Sequence, residues 1–236
     1  EKTVAVIAQS PIHPRREFNR ALGLAGDIGV KVIVIYTEEL LMPAFVKNPP
    51  DRCYYCKREL IRRIFDAVRP LGITTVVEGT NADDIRDYRP GARAVEEMGV
   101  RSPLKEAGLT KDEIRSISRE LGLPTWDMPP FACLASRFPY GSEITAEGLE
   151  MVDKAEQFLI GMGFRQVRVR HHGDVARIEV PRDEIGGFYD IMVMRKVSDN
   201  LKNIGFRYIA LDLEGYRTGS MNEVIGNGCA EDKSTP

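Results

Sequence analysis

The chain has 236 residues, of which 43% are hydrophobic and 29% are charged, as in ordinary folded proteins. This composition excludes a disordered chain, a collagen-like fibre and a coiled coil. The 33 basic and 35 acidic residues give a net charge of −2, so no overall positive field attracts nucleic acid. No apolar run approaches the roughly 18 residues of a membrane helix, and the N-terminal residues show no basic-then-apolar leader. We therefore expect a cytoplasmic protein that binds neither nucleic acid nor a membrane.

The first half of the chain alternates predicted strands and helices. Apolar runs at residues 3–8 and 31–36 predict strands buried on both faces, and residues 73–78 predict a third strand. Apolar residues spaced three and four apart predict helices over residues 14–28 and about 53–71. Strands separated by helices imply an α/β fold with a doubly wound parallel sheet, which binds ligands at the carboxyl ends of its strands.

The middle of the chain predicts one more helix and then a junction. Thr110 and Glu113 form the pattern of a capping box, so a helix begins there and ends before Pro124. The irregular, proline-rich stretch over residues 126–143 is typical of a connection between domains. We assign residues 1–128 to the α/β domain.

The second half predicts a smaller α+β domain. Thr145 begins a helix that ends near residue 163. Residues 167–170 and 175–180 alternate apolar and polar side chains, which predicts two strands joined by a hairpin turn. A helix to about residue 204 and a strand over residues 207–211 follow. We place this domain at residues 129–222 and expect a flexible tail at residues 223–236.

Four cysteines offer metal or redox chemistry. Cys53 and Cys56 lie at the start of a helix, where a three-residue offset turns both thiols in one direction and the helix N-terminus stabilises thiolates. Pairs at this spacing bind zinc or an iron–sulfur cluster, or form a redox disulfide. Cys133, in the proline-rich junction, would complete the three ligands of a cubane cluster with one open iron. Adding Cys229 would instead complete a closed zinc site.

Two groups of polar residues are candidates for binding. Gly79 follows the third predicted strand and lets a ligand approach the backbone, while Asn81, Asp83 and Asp84 could bind sugar hydroxyls, a nucleobase or Mg²⁺. The alternative is a polar turn that caps the next helix. Arg168 and Arg170 share one face of a strand, so their charges repel unless an anion or a carboxylate lies between them.

Further candidates lie around this arginine pair. Glu179 on the neighbouring strand is a candidate for the intervening carboxylate, and a solvated ladder of charges is the alternative. Ser136 and Arg137 form a second candidate anion site.

Five segments of the sequence closely resemble the LarE family: residues 48–57 (NPPDRCYYCK), 78–84 (EGTNADD), 87–91 (DYRPG), 133–141 (CLASRFPYG) and 205–213 (GFRYIALDL). The resemblance covers essentially residues 3–222. LarE proteins are ATP-dependent sulfur transferases of the PP-loop superfamily that make the nickel-pincer nucleotide cofactor of lactate racemase. The resemblance implies that ATP adenylylates a carboxylate of a pyridinium dicarboxylate mononucleotide and that sulfur then displaces AMP. It also implies a homo-oligomer.

The resemblance implies two possible sources of sulfur. One branch of the family sacrifices a single cysteine at the position of Cys133, which becomes dehydroalanine. The other branch holds a [4Fe-4S] cluster whose open iron carries sulfide, taken from inorganic sulfide or a sulfide donor. Cys53 and Cys56 beside Cys133 resemble this second branch. A thiolate that ligates a cluster is a poor sacrificial donor, whereas an iron-bound sulfide is replaceable.

The family's functional positions carry over to this sequence. The implied metal ligands are Cys53, Cys56 and Cys133. The implied catalytic residues are Cys133, Ser136, Arg137, Glu156 and Glu179. The residues implied to bind ATP with Mg²⁺, or the substrate's phosphate and carboxylates, are Gly79, Thr80, Asn81, Asp83, Arg168 and Arg170.

One departure and two rival functions stand beside this resemblance. The family's pyrophosphate loop, Ser-Gly-Gly-x-Asp-Ser, does not occur in the sequence, and we expect it to precede residue 1 in a longer protein. A tRNA thiolase of the same superfamily would show a basic surface and additional zinc-binding cysteines, against which a net charge of −2 and four cysteines argue. A non-enzymatic zinc module would use all four cysteines, including Cys229.

Overall fold

The computed structural model describes residues 3–86, 89–129, 131–217 and 219–223. Most of the predicted tail, Cys229 within it, and residues 87 and 88 of the third LarE-like segment lie outside these ranges. The chain divides into two compact units. The first unit comprises Glu1–Phe45 and Asp51–Phe131, and the second comprises Val46–Pro50 and Ala132–Pro236.

The first unit is built on a parallel pair of strands. Strands β1 (Val4–Gln9) and β2 (Lys31–Tyr36) pair in parallel, with Val4 opposite Lys31 and Gln9 opposite Tyr36. Helix α1 (Arg15–Ile28) connects them, as its apolar spacing predicted. This arrangement confirms the α/β class.

The prediction that both strands are buried on both faces is wrong. All six residues of β1 are half-buried, and those of β2 range from buried to exposed. Because this sheet has two strands among the described residues, each strand has a neighbour on one edge only. The apolar composition of the two segments therefore predicted more burial than β1 and β2 have.

The predicted third strand at residues 73–78 is also wrong. Within the described ranges it is reduced to one parallel bridge between Val77 and Arg101. Two backbone hydrogen bonds hold it, from Glu78 N to Arg101 O (2.9 Å) and from Arg101 N to Val76 O (3.0 Å). The segment is half-buried to exposed, and within the described ranges its pairing does not extend beyond this bridge.

The remaining regular elements of the first half of the chain are helices. Ile61, Val95 and Val100 form a buried cluster, against which Phe65 and Met98 pack. The hydroxyl of Thr110 and the carboxylate of Glu113 form the predicted capping box. The helices are α2 (Pro43–Val46), α3 (Arg52–Val68), α4 (Pro90–Glu97), α5 (Pro103–Glu106) and α6 (Lys111–Glu120), with short 3-10 helices at Glu39–Leu41, Arg69–Leu71 and Ala82–Arg86.

The second unit is α+β, as predicted. Its sheet has the order β3 (Arg168–His172), β4 (Val175–Glu179), β5 (Tyr208–Leu211). The hairpin β3–β4 is antiparallel and turns at Gly173, whose φ of +62° suits glycine, while β5 runs parallel to β4. The helices are α7 (Ala146–Gly161) and α8 (Ile191–Ile204), with 3-10 helices at Leu134–Arg137, Arg182–Phe188 and Ser220–Asn222.

The core of the second unit lies between its helices and its sheet. Leu149, Val152 and Leu159 of α7 are buried, as are Val169 of β3 and Ile178 of β4. The inward residues of each strand alternate with polar ones, which is why period-two patterning predicted these strands correctly. No helix of the described ranges has the length and apolarity that crossing a membrane requires.

Candidate functional site

The backbone of Cys133 is firmly held. Its carbonyl oxygen accepts hydrogen bonds from the Ser136 backbone N–H (3.0 Å), the Ser136 hydroxyl (2.8 Å) and Arg137 Nη1 (3.0 Å). The residue itself is half-buried and forms no disulfide. The loop therefore fixes the point from which the Cys133 side chain projects.

Arg137 and Glu156 form a buried ion pair behind this loop. Both side chains are 1% exposed, and two parallel contacts of 2.8 Å join Arg137 Nε and Nη2 to the Glu156 carboxylate. Arg137 Nη1 also donates to the Ala132 carbonyl oxygen and the Ser136 hydroxyl. Glu156, on α7, accepts a further bond from the Val169 N–H of β3. The pair thus ties the Cys133 loop to a helix and a strand.

The electrostatics of Arg137 follow from this partner. Burial works against its charge, but the Glu156 carboxylate outweighs burial and raises the pKa of the guanidinium above its ordinary value. The Cys133 side chain also lies within electrostatic reach of Arg137. Because each nitrogen of Arg137 donates to protein atoms, its geometry is that of an anchor for the Cys133 loop.

Glu179 lies between two arginines of the hairpin. Its Oε2 atom is 2.6 Å from Arg170 Nη2, and its Oε1 atom is 3.0 Å from Arg177 Nη2. Arg170 also donates to the Ser136 carbonyl oxygen (3.0 Å). The sequence predicted a carboxylate between Arg168 and Arg170, but the structure places it between Arg170 and Arg177. Arg177 lies directly opposite Arg170 across the strands and shares its face of the sheet.

Arg168 is a further buried cation of the same hairpin. Its side chain is buried, donates to the Val167 carbonyl oxygen (2.8 Å), and lies 5.3 Å from the ring centre of Tyr216. Burial, and then the neighbouring charge of Arg137, lower the pKa of its guanidinium. A bound anion would offset both effects, as the resemblance implies for this residue.

These side chains form one group of charges around the β3–β4 hairpin. Within the described part of the second unit, ion pairs join three guanidiniums to three carboxylates, and Arg168 lies within electrostatic reach of Arg137 and Glu156. The cluster consists of Arg137, Arg168, Arg170, Arg177, Glu156, Glu179 and Asp212, and we call it the arginine cluster. Guanidinium groups gathered in this way can bind an oxyanion with paired hydrogen bonds.

The turn at residues 79–84 of the first unit differs from the arginine cluster in that its side chains mainly accept hydrogen bonds from backbone N–H groups. Asn81 Oδ1 accepts from the Asp83 N–H (3.1 Å), and Asp83 Oδ2 accepts from the first N–H of α6, at Lys111 (2.7 Å). The Thr80 N–H donates to Glu78 Oε1 (3.1 Å). These contacts match the helix-capping alternative. Gly79 is exposed with open space at its Cα, so a ligand can approach the backbone there.

Asp84 completes that turn and is fully compensated. Its carboxylate is 2.9 Å from Arg89 Nη2 and 3.0 Å from Lys111 Nζ, and it accepts from the Asn81 N–H. Burial tends to raise the pKa of Asp84, but the Asn81 N–H and Lys111 outweigh it and lower the pKa below its ordinary value.

Cys53 and Cys56 lie on the first turn of α3 in the first unit. Cys53 is exposed and Cys56 is half-buried, with its sulfur 4.0 Å from Glu39 Oε1. Two thiols from one helical turn suit two ligand positions of an iron–sulfur cluster. The third predicted ligand, Cys133, belongs to the second unit. No group of three or more His, Cys, Asp or Glu side chains suited to a metal ion occurs among the residues described, so cluster ligation stays a prediction.

Comparison with known proteins identifies the family. No protein-family model matches the chain. The chain is 38% identical over 225 residues, 95% of its length, to the pyridinium-3,5-bisthiocarboxylic acid mononucleotide synthase of Lactiplantibacillus plantarum, of which it covers 81%. The chain belongs to the LarE family.

Two uncharacterized proteins are also similar to this LarE-family chain. One, from Synechocystis, is 44% identical over 225 residues, which are 95% of the chain and 84% of that protein. The other, from Methanocaldococcus jannaschii, is 29% identical over 218 residues, 92% and 82% of the respective lengths. The similarity therefore spans both compact units in each case.

Sequence reasoning missed several residues that lie beside the predicted site residues within each unit of this LarE-family chain. Arg177 could have been found, because it precedes Glu179 by two residues and so shares its face of β4. Glu39, which is buried and accepts a hydrogen bond from the Ser10 hydroxyl (2.7 Å), follows β2 and gave no comparable signal. Asp212 and Tyr216 lie on a turn whose contacts depend on the folded chain.

Proposed function

We propose that this protein is a sulfur transferase that converts the carboxylates of a pyridinium dicarboxylate mononucleotide into thiocarboxylates, a step in making the nickel-pincer nucleotide. The observation that carries the proposal is the 38% identity, over 95% of the chain, to a pyridinium-3,5-bisthiocarboxylic acid mononucleotide synthase. The two uncharacterized relatives are similar over comparable lengths, so they do not favour another activity.

The arginine cluster supports the substrate assignment. A mononucleotide with two carboxylates and a phosphate is strongly anionic, and guanidinium groups bind such oxyanions with paired hydrogen bonds. Burial and the charge of Arg137 lower the pKa of Arg168, and a bound anion would offset both effects. We assign Arg168 and Arg170 to substrate binding. Arg137 and Glu156 hold the Cys133 loop beside them.

The proposed chemistry needs ATP to activate each carboxylate. A carboxylate oxygen attacks the α-phosphorus of ATP, pyrophosphate leaves, and an acyl-adenylate forms. A sulfur nucleophile then attacks the acyl carbon and AMP leaves with its electron pair, which gives the thiocarboxylate. We assign the turn at Gly79, Thr80, Asn81 and Asp83 to the nucleotide, with Mg²⁺ neutralising phosphate charge. The exposed backbone at Gly79 supports this assignment.

The sulfur source in this proposal is a [4Fe-4S] cluster held by Cys53, Cys56 and Cys133. When bound with one iron open, such a cluster supplies a replaceable sulfide. The chain's own contribution is to present two thiols from the first turn of α3 and a third from the fixed Cys133 loop. Glu39 lies beside Cys56 and helps to set where that thiol points.

The test is anaerobic purification of the full-length protein followed by metal analysis and turnover. We expect about four irons and at least as much acid-labile sulfide per chain. With ATP, Mg²⁺, sulfide and the mononucleotide, mass spectrometry should show several thiocarboxylates per chain, with AMP and pyrophosphate. An active protein without iron would contradict the cluster. A protein that forms no thiocarboxylate under any of these conditions would contradict the function.

A second source of sulfur is Cys133 itself. Its half-burial and the hydrogen bonds that fix its backbone give the thiol a defined starting position. In that case the protein completes one transfer, and Cys133 loses the mass of H₂S as it becomes dehydroalanine. Intact-protein mass spectrometry after one turnover separates the two sources, because a cluster-based transfer leaves the mass of the chain unchanged.

A further inference from the structure

The turn after β5 has a geometry that places one aromatic residue. Asp212 Oδ2 is 3.1 Å from Arg177 Nη1, and Asp212 Oδ1 accepts from the Glu214 N–H (2.9 Å). Gly215 donates to the Asp212 carbonyl oxygen and has a φ of +71°. A Cβ atom at Gly215 would lie 2.7 Å from the Val180 carbonyl oxygen, so only glycine fits there. The turn is therefore fixed to the end of β4.

Tyr216 follows Gly215 in the chain, and its ring lies beside Arg168 of the arginine cluster. Its N–H donates to the Val180 carbonyl oxygen (2.8 Å). Its half-buried ring lies with its centre 5.3 Å from Arg168 Cζ, a cation–π contact. Within the described ranges, no side-chain hydrogen bond engages the Tyr216 hydroxyl.

We propose that Tyr216 is a substrate-binding residue of this LarE-family protein. Its ring holds the Arg168 guanidinium in place, and its hydroxyl donates a hydrogen bond to the substrate oxyanion that Arg168 binds. This inference rests on the proposed function and adds to it one residue that binds the anionic group of the substrate. The oxyanion is a carboxylate or the phosphate of the mononucleotide, which share the same acceptor chemistry.

Three variants test the proposal by calorimetric binding to the full-length protein. Tyr216→Phe removes only the hydroxyl and should weaken binding of the dicarboxylate mononucleotide about tenfold, as expected for one hydrogen bond to a charged group. Tyr216→Leu also removes the ring and should weaken binding further. Tyr208→Phe is the control, because Tyr208 lies on β5 with 65% of its surface exposed. The Tyr208→Phe variant should bind the mononucleotide with the affinity of the wild type.

A second ligand identifies the oxyanion. If the hydroxyl binds a carboxylate, Tyr216→Phe binds an analogue without carboxylates as tightly as the wild type does. If it binds the phosphate, Tyr216→Phe loses affinity for both ligands. Both results support the proposal.

Two results separate this inference from the proposed function. If the wild type converts the mononucleotide and Tyr216→Phe binds it with unchanged affinity, the inference is wrong and the function stands. If the wild type neither binds nor converts it, the proposed function is wrong. A Tyr216→Phe variant that melts at a lower temperature but binds normally would show a purely structural role and would also overturn the inference.

Discussion

The arginine cluster of the second unit and the turn at residues 79–84 of the first unit are both rich in charge, yet they are built differently. In the turn, each described carboxylate meets a backbone N–H or a cation, and Asp84 meets two cations. In the cluster, three guanidiniums pair with three carboxylates, and burial and then the charge of Arg137 lower the pKa of the nearby Arg168. The carboxylates of the turn are balanced by backbone N–H groups and cations, whereas the cluster gathers several guanidiniums on one hairpin, the chemistry that binds oxyanions.

This difference separates two uses of a polar motif. The side-chain oxygens of Asn81 and Asp83 accept hydrogen bonds from backbone N–H groups at the start of a helix, which have no partner within the helix. Arg168 and Arg170 lie on a rigid hairpin beside a fixed cysteine loop. A ligand of the turn therefore meets mainly exposed backbone, and a ligand of the cluster meets charged side chains.

The largest expected effect comes from breaking the buried ion pair of the cluster. Arg137→Met leaves the Glu156 carboxylate buried without its cation, which should cost about 3–5 kcal/mol of unfolding free energy. Urea denaturation measures it. Arg62→Met is the control, because Arg62 forms equally short ion pairs on the exposed surface of α3 and should change stability far less.

The double variant Arg137→Met, Glu156→Leu sharpens this prediction. It replaces the pair with apolar side chains and should recover most of the lost stability. It also releases the carbonyl of Cys133, so transfer activity should stay low although the fold is restored. Equal losses of stability in Arg137→Met and Arg62→Met would show that the buried pair is no stronger than a surface pair.

The second effect concerns the turn that places Tyr216. Gly215→Ala adds a methyl group 2.7 Å from the Val180 carbonyl oxygen in a left-handed conformation. Gly108→Ala is a matched control, since Gly108 has the same φ of +71° but open space around it. The control should cost about 1 kcal/mol, and Gly215→Ala about 1–3 kcal/mol more. Thermal and urea unfolding measure the loss of stability in each variant. Equal losses in Gly215→Ala and Gly108→Ala would refute the prediction.

A smaller effect tests the balanced turn. Asp83→Ala removes the acceptor for the first N–H of α6 and should cost about 1 kcal/mol of unfolding free energy. Asp83→Asn keeps an acceptor oxygen and should cost less. If Asp83 only caps the helix, the KM for ATP is unchanged in both variants. A KM for ATP that rises in Asp83→Asn at full stability would show that this carboxylate also binds the nucleotide.

The smallest effect is a pH dependence at Asp84. The folded state lowers the pKa of Asp84, so its stabilising contribution is complete above the unfolded value of about 3.9 and is lost as the pH falls through the lower folded value. Asp84→Asn should therefore destabilise the protein at pH 7 and converge with the wild type in acid. A stability difference that stays constant from pH 7 to acid would contradict the assigned ion pairs.

The turn and the cluster also differ in how far the sequence predicted them. Capping signals at Thr110 and Thr145 located helix starts correctly, because a cap needs only neighbouring residues. The prediction at residues 73–78 failed, because a strand needs neighbours that only the fold provides. The roles implied for the cysteines and for the nucleotide turn stay predictions.

The sequence by itself determined the alternation of helices and strands, the hairpin, and the shared face of Arg168 and Arg170, since all of these follow from local periodicity. Only the tertiary structure decided the partners. It paired Arg137 with Glu156 nineteen residues away, placed Glu179 between Arg170 and Arg177, and brought Tyr216 to Arg168. Spacing fixes the side of an element from which a side chain projects. The charge that it meets depends on which distant elements pack against that side.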